Sequence, residues 1–149
     1  MHASLTPDAE LKALVGEFFQ AVSFEPGGAP SYRRIHDLFV PGGRLMRHQP
    51  DSAEIWTVEE FIKPRQAMVD TGRLTSFLEF EVAAVTEAFG GVAHRLSTYG
   101  KRGVTDGVPH EARGIISTQF LRTVEGWRMT SMAWEDERTD LAIPARYLS

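Results

Sequence analysis

Cysteine is missing from the sequence, which rules out disulfides, thiolate metal ligands and a cysteine nucleophile together. No run of apolar residues approaches the ~20 needed to span a bilayer. The first residues, Met-His-Ala-Ser-Leu-Thr-Pro-Asp, lack the basic start and apolar stretch of a secretory signal. The expectation is a cytoplasmic protein with no membrane association. Positive charge is not concentrated either. The 16 Lys and Arg are scattered among 20 Asp and Glu, for a net charge of −4, so no basic stripe invites nucleic acid. The five histidines are widely spaced, with no His-x-His or His-x-x-x-His pair, so no metal site is expected. Gly42-Gly43 and Gly90-Gly91 read as turns, and neither opens a helix as a phosphate loop would. No cofactor is implied.

What remains is an ordinary globular composition, 42% hydrophobic and 24% charged over 149 residues. That fits one domain, residues 1–149, large enough to bury a core. Thr6-Pro7-Asp8 is a helix start: a capping hydroxyl, a proline suited to the first turn, and an acid at the positive end of the dipole. Leu11, Leu14, Val15, Phe18, Phe19 and Val22 follow at helical spacing. Glu25 to Pro30 ends that helix. A second, short helix is predicted from Ser31 to Phe39, stopped by Pro41-Gly42-Gly43. Arg44 to Gln49 reads as a short strand, with Leu45 and Arg47 on one side and Met46 and His48 on the other. Ile55-Trp56 is a brief extended piece. Thr57-x-x-Glu60 then matches a capping box and opens a third helix, in which Pro64 predicts a kink or a restart.

From Thr75 the period changes from helical to alternating. Strands are predicted from Thr75 to about Phe89 and from Val92 to Tyr99, with Gly100 to Pro109 as a polar connection. A hairpin follows, Ala112 to Glu137, turning at Glu125-Gly126. Helices first and strands after, joined by short turns, predict an α+β fold with an antiparallel meander.

This order of elements, ending in Gly126-Trp127-Arg128-Met129, resembles the nuclear-transport-factor-two-like superfamily. Within it the chain resembles the ketosteroid-isomerase and polyketide-cyclase-like group of small bacterial proteins. Val92 to Tyr99, Arg113-Gly114-Ile115 and Trp134-Glu135-Asp136-Glu137 carry the closer part of the likeness. The resemblance implies a cone-shaped, curved antiparallel sheet (a half-barrel) packed against three N-terminal helices, a cavity on the concave side, and a homodimer built through the sheet. It says little about activity, because one fold hosts enzymes, carriers and assembly modules. The ketosteroid-isomerase oxyanion hole is absent. Phe18 and Phe19 stand where its tyrosine would be sought, and Ser117, Thr118 and Gln119 offer no carboxylate. For the His and Asp pair of the cyclase-like members, His94 and Asp136 are counterparts by type.

Alternation places Met132, Trp134 and Asp136 on one face of the last strand and Met129, Ser131 and Ala133 on the other. The likeness turns the first set inward. Trp134 then walls the cavity or packs in the sheet, and Trp127 belongs to the core. Arg113 needs a carboxylate partner such as Glu79, Glu81 or Asp136, or an anionic ligand. His48 and His94 are candidate general bases, or rim and sheet residues. Tyr32 and Tyr99 either donate a hydrogen bond into the cavity or pack. His36 and His110 read as surface residues, and His2 as part of the terminal arm. The expected site therefore has His48, His94 and Asp136 as catalytic candidates. Its expected ligand-binding residues are Phe18, Tyr32, Trp56, Phe61, Tyr99, Arg113, Gln119, Met132 and Trp134. The expected ligand is a small hydrophobic or carbonyl-containing molecule. The expected function is ligand binding in an apolar cavity, with cofactor-independent lyase, isomerase or cyclase chemistry by proton transfer. The competing reading is a non-catalytic dimeric binding or assembly module.

Overall fold

The computed structural model describes residues 6–149; His2 lies outside them. Thr6 caps α1 (Pro7–Val22) by accepting from the Ala9 amide at 3.2 Å, and the helix buries Leu11, Val15, Phe18, Phe19 and Val22. Ser23, just past its end, donates to the Phe19 carbonyl at 2.6 Å and accepts from the Glu79 amide at 3.0 Å. One hydroxyl thus ties the helix terminus to the strand that carries Glu79. The second helix is a 3₁₀ helix, Tyr32–Leu38. The third, α2 (Val58–Asp70), starts at Thr57 with both hydrogen bonds of the capping box formed. It runs through Pro64 as a single element, so of the two anticipated outcomes, a kink or a restart, the restart does not occur. No helix is long and apolar enough to cross a membrane among the described residues.

Six strands follow or interleave: β1 (Phe39–Gln49), β2 (Ser52–Thr57), β3 (Leu74–Phe89), β4 (Val92–Thr105), β5 (Val108–Thr123) and β6 (Gly126–Asp136). They form one open sheet in the order β2-β1-β6-β5-β4-β3, with the three helices packed on its concave side around the core.

Four expectations need correction. The sheet is mixed, because β1 pairs with β6 in parallel; the crossover such a pair requires is supplied by everything between the two strands. Pro41-Gly42-Gly43 lies inside β1 rather than ending the preceding helix. Gly42, at φ +83°, lets the chain bulge between the Phe39 and Arg44 pairings. Gly100 to Pro109 is not a loop: β4 continues to Thr105 and turns at Asp106-Gly107, both at positive φ (52° and 76°), the geometry of a tight primed hairpin. In the last hairpin the turn residues are Val124 and Glu125, with Gly126 opening β6 at φ +100°.

Register sets the concave face. Glu79 stands opposite Lys101, Lys101 opposite Ala112, Tyr99 opposite Gly114, and Gly114 opposite Asp136. A bulge between the Gln119 and Phe120 pairings returns Met129 to the same buried side as Met132, so these two do not face opposite ways. Next to α1, Arg95 is 4% exposed and meets Glu81, Asp8 and Thr86, while Ser97 donates to Glu81. A buried guanidinium is tolerable only when its donors are matched in this way.

Gly114 has a specific task. The Tyr99 side chain crosses above it to donate to Asp136 on the next strand, and a Cβ at Gly114 would collide with the Tyr99 hydroxyl and the Glu135 carbonyl. Gly114→Ala is therefore expected to lose about 3 kcal/mol in urea unfolding through overpacking. Gly16→Ala, where a Cβ meets nothing within 4 Å, is expected to be neutral or mildly stabilising.

Candidate functional site

Between the concave face and the helices lies an open cavity of about 610 Å³, to which every element from α1 to β6 contributes a residue. One wall is aromatic and is built by helices and strands together. Trp56 and Trp134 stack with centroids 6.0 Å apart, and Phe61 meets both edge-on at 6.1 and 6.0 Å. Phe18 closes the back of Phe61 at 6.1 Å. The part of the lining from β3, β4 and the end of β6 carries polar groups. Asp136 receives the Tyr99 hydroxyl and sits 2.9 Å from the Lys101 ammonium. Glu79 flanks Lys101 from the other strand, and no described residue donates a hydrogen bond to its carboxyl group. Arg47 and Glu54 form a rim pair at 3.1 Å. Among the described residues no three His, Asp or Glu side chains gather as metal ligands.

Burial decides the protonation states. Glu79 is pushed up to about 7, mainly by loss of solvent and further by the charge of Asp136, against the pull of Lys101 and Arg65. Tyr99 is raised by burial and by its bond to Asp136, so it stays a donor. Tyr32 is raised by burial as well. The cavity thus holds a carboxyl group whose affinity for a proton is raised toward neutrality, with the Lys101 side chain opposite it on the next strand. That combination suits proton transfer.

No protein-family model matches the chain, and no curated protein matches it. Solved structures do. A nuclear transport factor 2-like protein of Salmonella enterica serovar Typhimurium superimposes with a TM-score of 0.71 at 12% identity, over 91% of this chain and 95% of its own. A protein with a cystatin-like fold from Novosphingobium aromaticivorans gives 0.66 at 16% identity, over 95% and 87%. A dehydratase candidate of the same fold family from Streptomyces avermitilis gives 0.66 at 15%, over 90% and 100%. The fold is nuclear transport factor 2-like.

Within this nuclear transport factor 2-like fold, the expected site residues separate into three groups. Phe18, Tyr32, Trp56, Phe61, Trp134 and Asp136 line the cavity. Tyr99 and Met132 are fully buried behind the wall, Tyr99 reaching it through Asp136. The remaining four lie elsewhere. His94 and Gln119 are cross-strand neighbours on the convex face, where His94 contacts Glu87 at 2.8 Å. Arg113 points the same way, half exposed, with Glu137 at 2.6 Å. His48 projects outward from β1 to Glu135 at 2.8 Å. A strand shows alternate residues to opposite faces, so Arg113 and Gln119 cannot share a wall with Ile116. His110, read as a surface residue, stands at the cavity mouth beside Thr105.

Sequence reasoning missed Glu79, Lys101 and Arg65 as site residues. Lys101 fell in the supposed loop. Glu79 alternates with Leu78, Phe80 and Val82, a pattern that reads as acids outward and apolar residues inward. The nuclear transport factor 2-like sheet inverts it: the apolar set is 38–49% exposed and the acid faces the cavity. The available signal was parity, since Glu79 shares a face with Phe77. A second groove of about 650 Å³ along the β3 edge shares Phe77, His110 and Glu111 with the cavity.

Glu79 makes stability depend on pH. Between its ordinary 4.5 and about 7 the folded chain binds more protons than the unfolded one, so stability falls as pH rises through that window and the full cost is felt above it. Glu79→Gln is expected to be more stable than the parent by about 2 kcal/mol at pH 8 and nearly equal at pH 4.5, by urea unfolding at the two pH values.

Proposed function

We propose that the cavity binds a small apolar carbonyl compound and performs cofactor-independent proton transfer on it, with Glu79 as the general acid–base. The observation that carries this reading is the Glu79 carboxyl group, which lines an aromatic cavity, receives no hydrogen bond from any described residue, and is pushed by burial above the ordinary carboxylate range. Glu79 in its carboxylate form takes a proton from the carbon beside the carbonyl. The Lys101 ammonium, one strand away, offsets the charge that develops on the oxygen. Asp136 holds Lys101 in place, and Tyr99 holds Asp136. Glu79, now protonated, returns the proton either to another carbon, which isomerises the compound, or to a departing hydroxyl, which dehydrates it. The dehydratase candidate among the structures of similar fold is compatible with the second outcome. The acid–base role assigned from sequence to His48, His94 or Asp136 passes in this reading to Glu79, with Lys101 in place of Arg113 and Gln119.

The partner in this reading is a second copy of the chain, joined through the convex face. Leu78, Phe80, Val82 and Val85 stand 38–49% exposed there on one strand, a larger apolar run than a monomer usually shows to water.

Three experiments test these proposals. Carbon-13 NMR titration of the Glu79 carboxyl is expected to give a midpoint near 7, and higher in Lys101→Met because that ammonium favours the charged form. A midpoint near 4.5 in the parent removes the acid–base assignment. With a turned-over substrate in hand, Glu79→Gln should lower kcat by roughly 10²–10⁴. Sedimentation velocity should give a dimer for the parent and a monomer for Phe80→Glu; a monomeric parent ends the dimer proposal.

A further inference from the structure

Arg65 is the cation in the cavity that no carboxylate matches. Its guanidinium carbon lies 3.7 Å from the centre of the Phe61 ring and 5.2 Å from that of Trp56, and one of its N–H groups donates to the Phe61 carbonyl at 2.9 Å. The helix thus holds the fork in place and leaves further donors facing the cavity. The other arginines drawn inward each have a carboxylate partner, Arg95 in Glu81 and Asp8 and Arg47 in Glu54, although the buried Nε of Arg47 finds no hydrogen-bond partner among the described residues. Arg65 has no carboxylate within ion-pair reach among the described residues. Burial lowers it to about 10, so it remains charged at neutral pH. Once Arg47 with Glu54 and Lys101 with Asp136 are set against each other, and with Glu111 exposed at the mouth, the cavity interior keeps one cation without an ion pair among the described residues, Arg65, which lines the same hollow as Glu79.

The geometry points to a ligand that carries a carboxylate on a flat or aromatic body, with Arg65 binding the carboxylate and Trp56, Phe61 and Trp134 holding the body. This inference rests on the reading of the cavity as a ligand site and narrows its substrate class to apolar carboxylic acids. A fixed guanidinium fork matches a carboxylate with two parallel hydrogen bonds. The aromatic wall supplies stacking surface, and about 610 Å³ accommodates a ligand of one or two rings. A phosphate dianion fits less well, because Glu54, Glu79 and Asp136 on the other walls repel the second charge and only one guanidinium is unmatched. Carboxylate binding also adds a negative charge near Glu79, which Arg65 at present draws toward its charged form. A bound acid therefore favours the protonated form of Glu79, and substrate charge and proton transfer are coupled.

The test uses 3-phenylpropanoate, its neutral amide 3-phenylpropanamide, and phenyl phosphate, with tryptophan fluorescence reporting on Trp56 and Trp134. The acid should bind the parent about tenfold or more tightly than the amide and should raise the Glu79 midpoint in the NMR titration, which the amide should not do. Arg65→Gln should abolish the preference for acid over amide, Arg65→Lys should keep part of it, and Glu79→Gln should keep or increase it, because the charge that opposes the acid is gone. Equal affinity of acid and amide for the parent overturns the inference without recourse to any variant. So does tighter binding of phenyl phosphate, an unchanged preference in Arg65→Gln, or absence of binding by all three probes. Failure here leaves the unliganded Glu79 midpoint untouched, whereas an ordinary Glu79 midpoint with retained acid preference refutes the proton-transfer role alone.

Discussion

Strand register is the constraint on which the cavity depends. Across β3, β4, β5 and β6 the pairings run without slippage through Glu79, Lys101, Ala112, Gly114 and Asp136. They bring residues far apart in sequence onto one concave surface. Side chains alternate with period two, so a slip of one residue would turn this whole set to the opposite face. The register shifts, at Leu74/Ser76 and Glu81/Ala83 on β3 and at Gln119/Phe120 between β5 and β6, fall beyond this segment. They bend the sheet without disturbing the row that holds Glu79 and Lys101. Gly114 completes the arrangement by absence, since a side chain there would occupy the path of Tyr99 to Asp136.

On that surface, charge is handled differently at two depths. Near α1, Arg95 is enclosed by Glu81, Asp8, Thr86 and Ser97 acts on the same carboxylate. This saturated network anchors the helix to the sheet and leaves nothing to offer a ligand. Deeper in the cavity the matching is incomplete. Glu79 has its charge opposed by desolvation, and Arg65 leans on aromatic rings in place of a carboxylate. Incompletely matched groups carry a cost in stability, and their position around one hollow is the physical basis for the functional reading. Loss of the Glu79 charge is favoured by its surroundings, and retention of the Arg65 charge is favoured by its high intrinsic basicity.

Much of the fold was legible because its signals are local. The Thr6 cap, the Thr57 and Glu60 capping box and the apolar face of α1 each involve neighbours in sequence, and all three are present. Half of the expected site was legible for a related reason. Phe18, Trp56, Phe61 and Trp134 are large apolar residues on predicted elements, and an enclosed hollow must be walled by such groups. The errors share an origin as well. Asp106-Gly107 was hidden within a glycine-containing stretch, so β4 was cut short and Lys101 was lost. Arg113 and Gln119 were placed on the wrong face because the inward side of β5 was inferred from residue type and not from parity with Ile116.

The amino-acid sequence by itself determined the helices and their caps, the change to strands after α2, and an α+β fold of this kind, because periodicity, capping and turn chemistry act over a few residues. Tertiary structure alone decided that β1 joins β6 in parallel, and that the apolar side of β3 faces outward while Glu79 faces in. It also decided that Lys101 and Arg65 line the same cavity as that carboxyl group. The reason is that burial, and with it the affinity of Glu79 for a proton, is a property of the assembled surroundings and of no short stretch of chain.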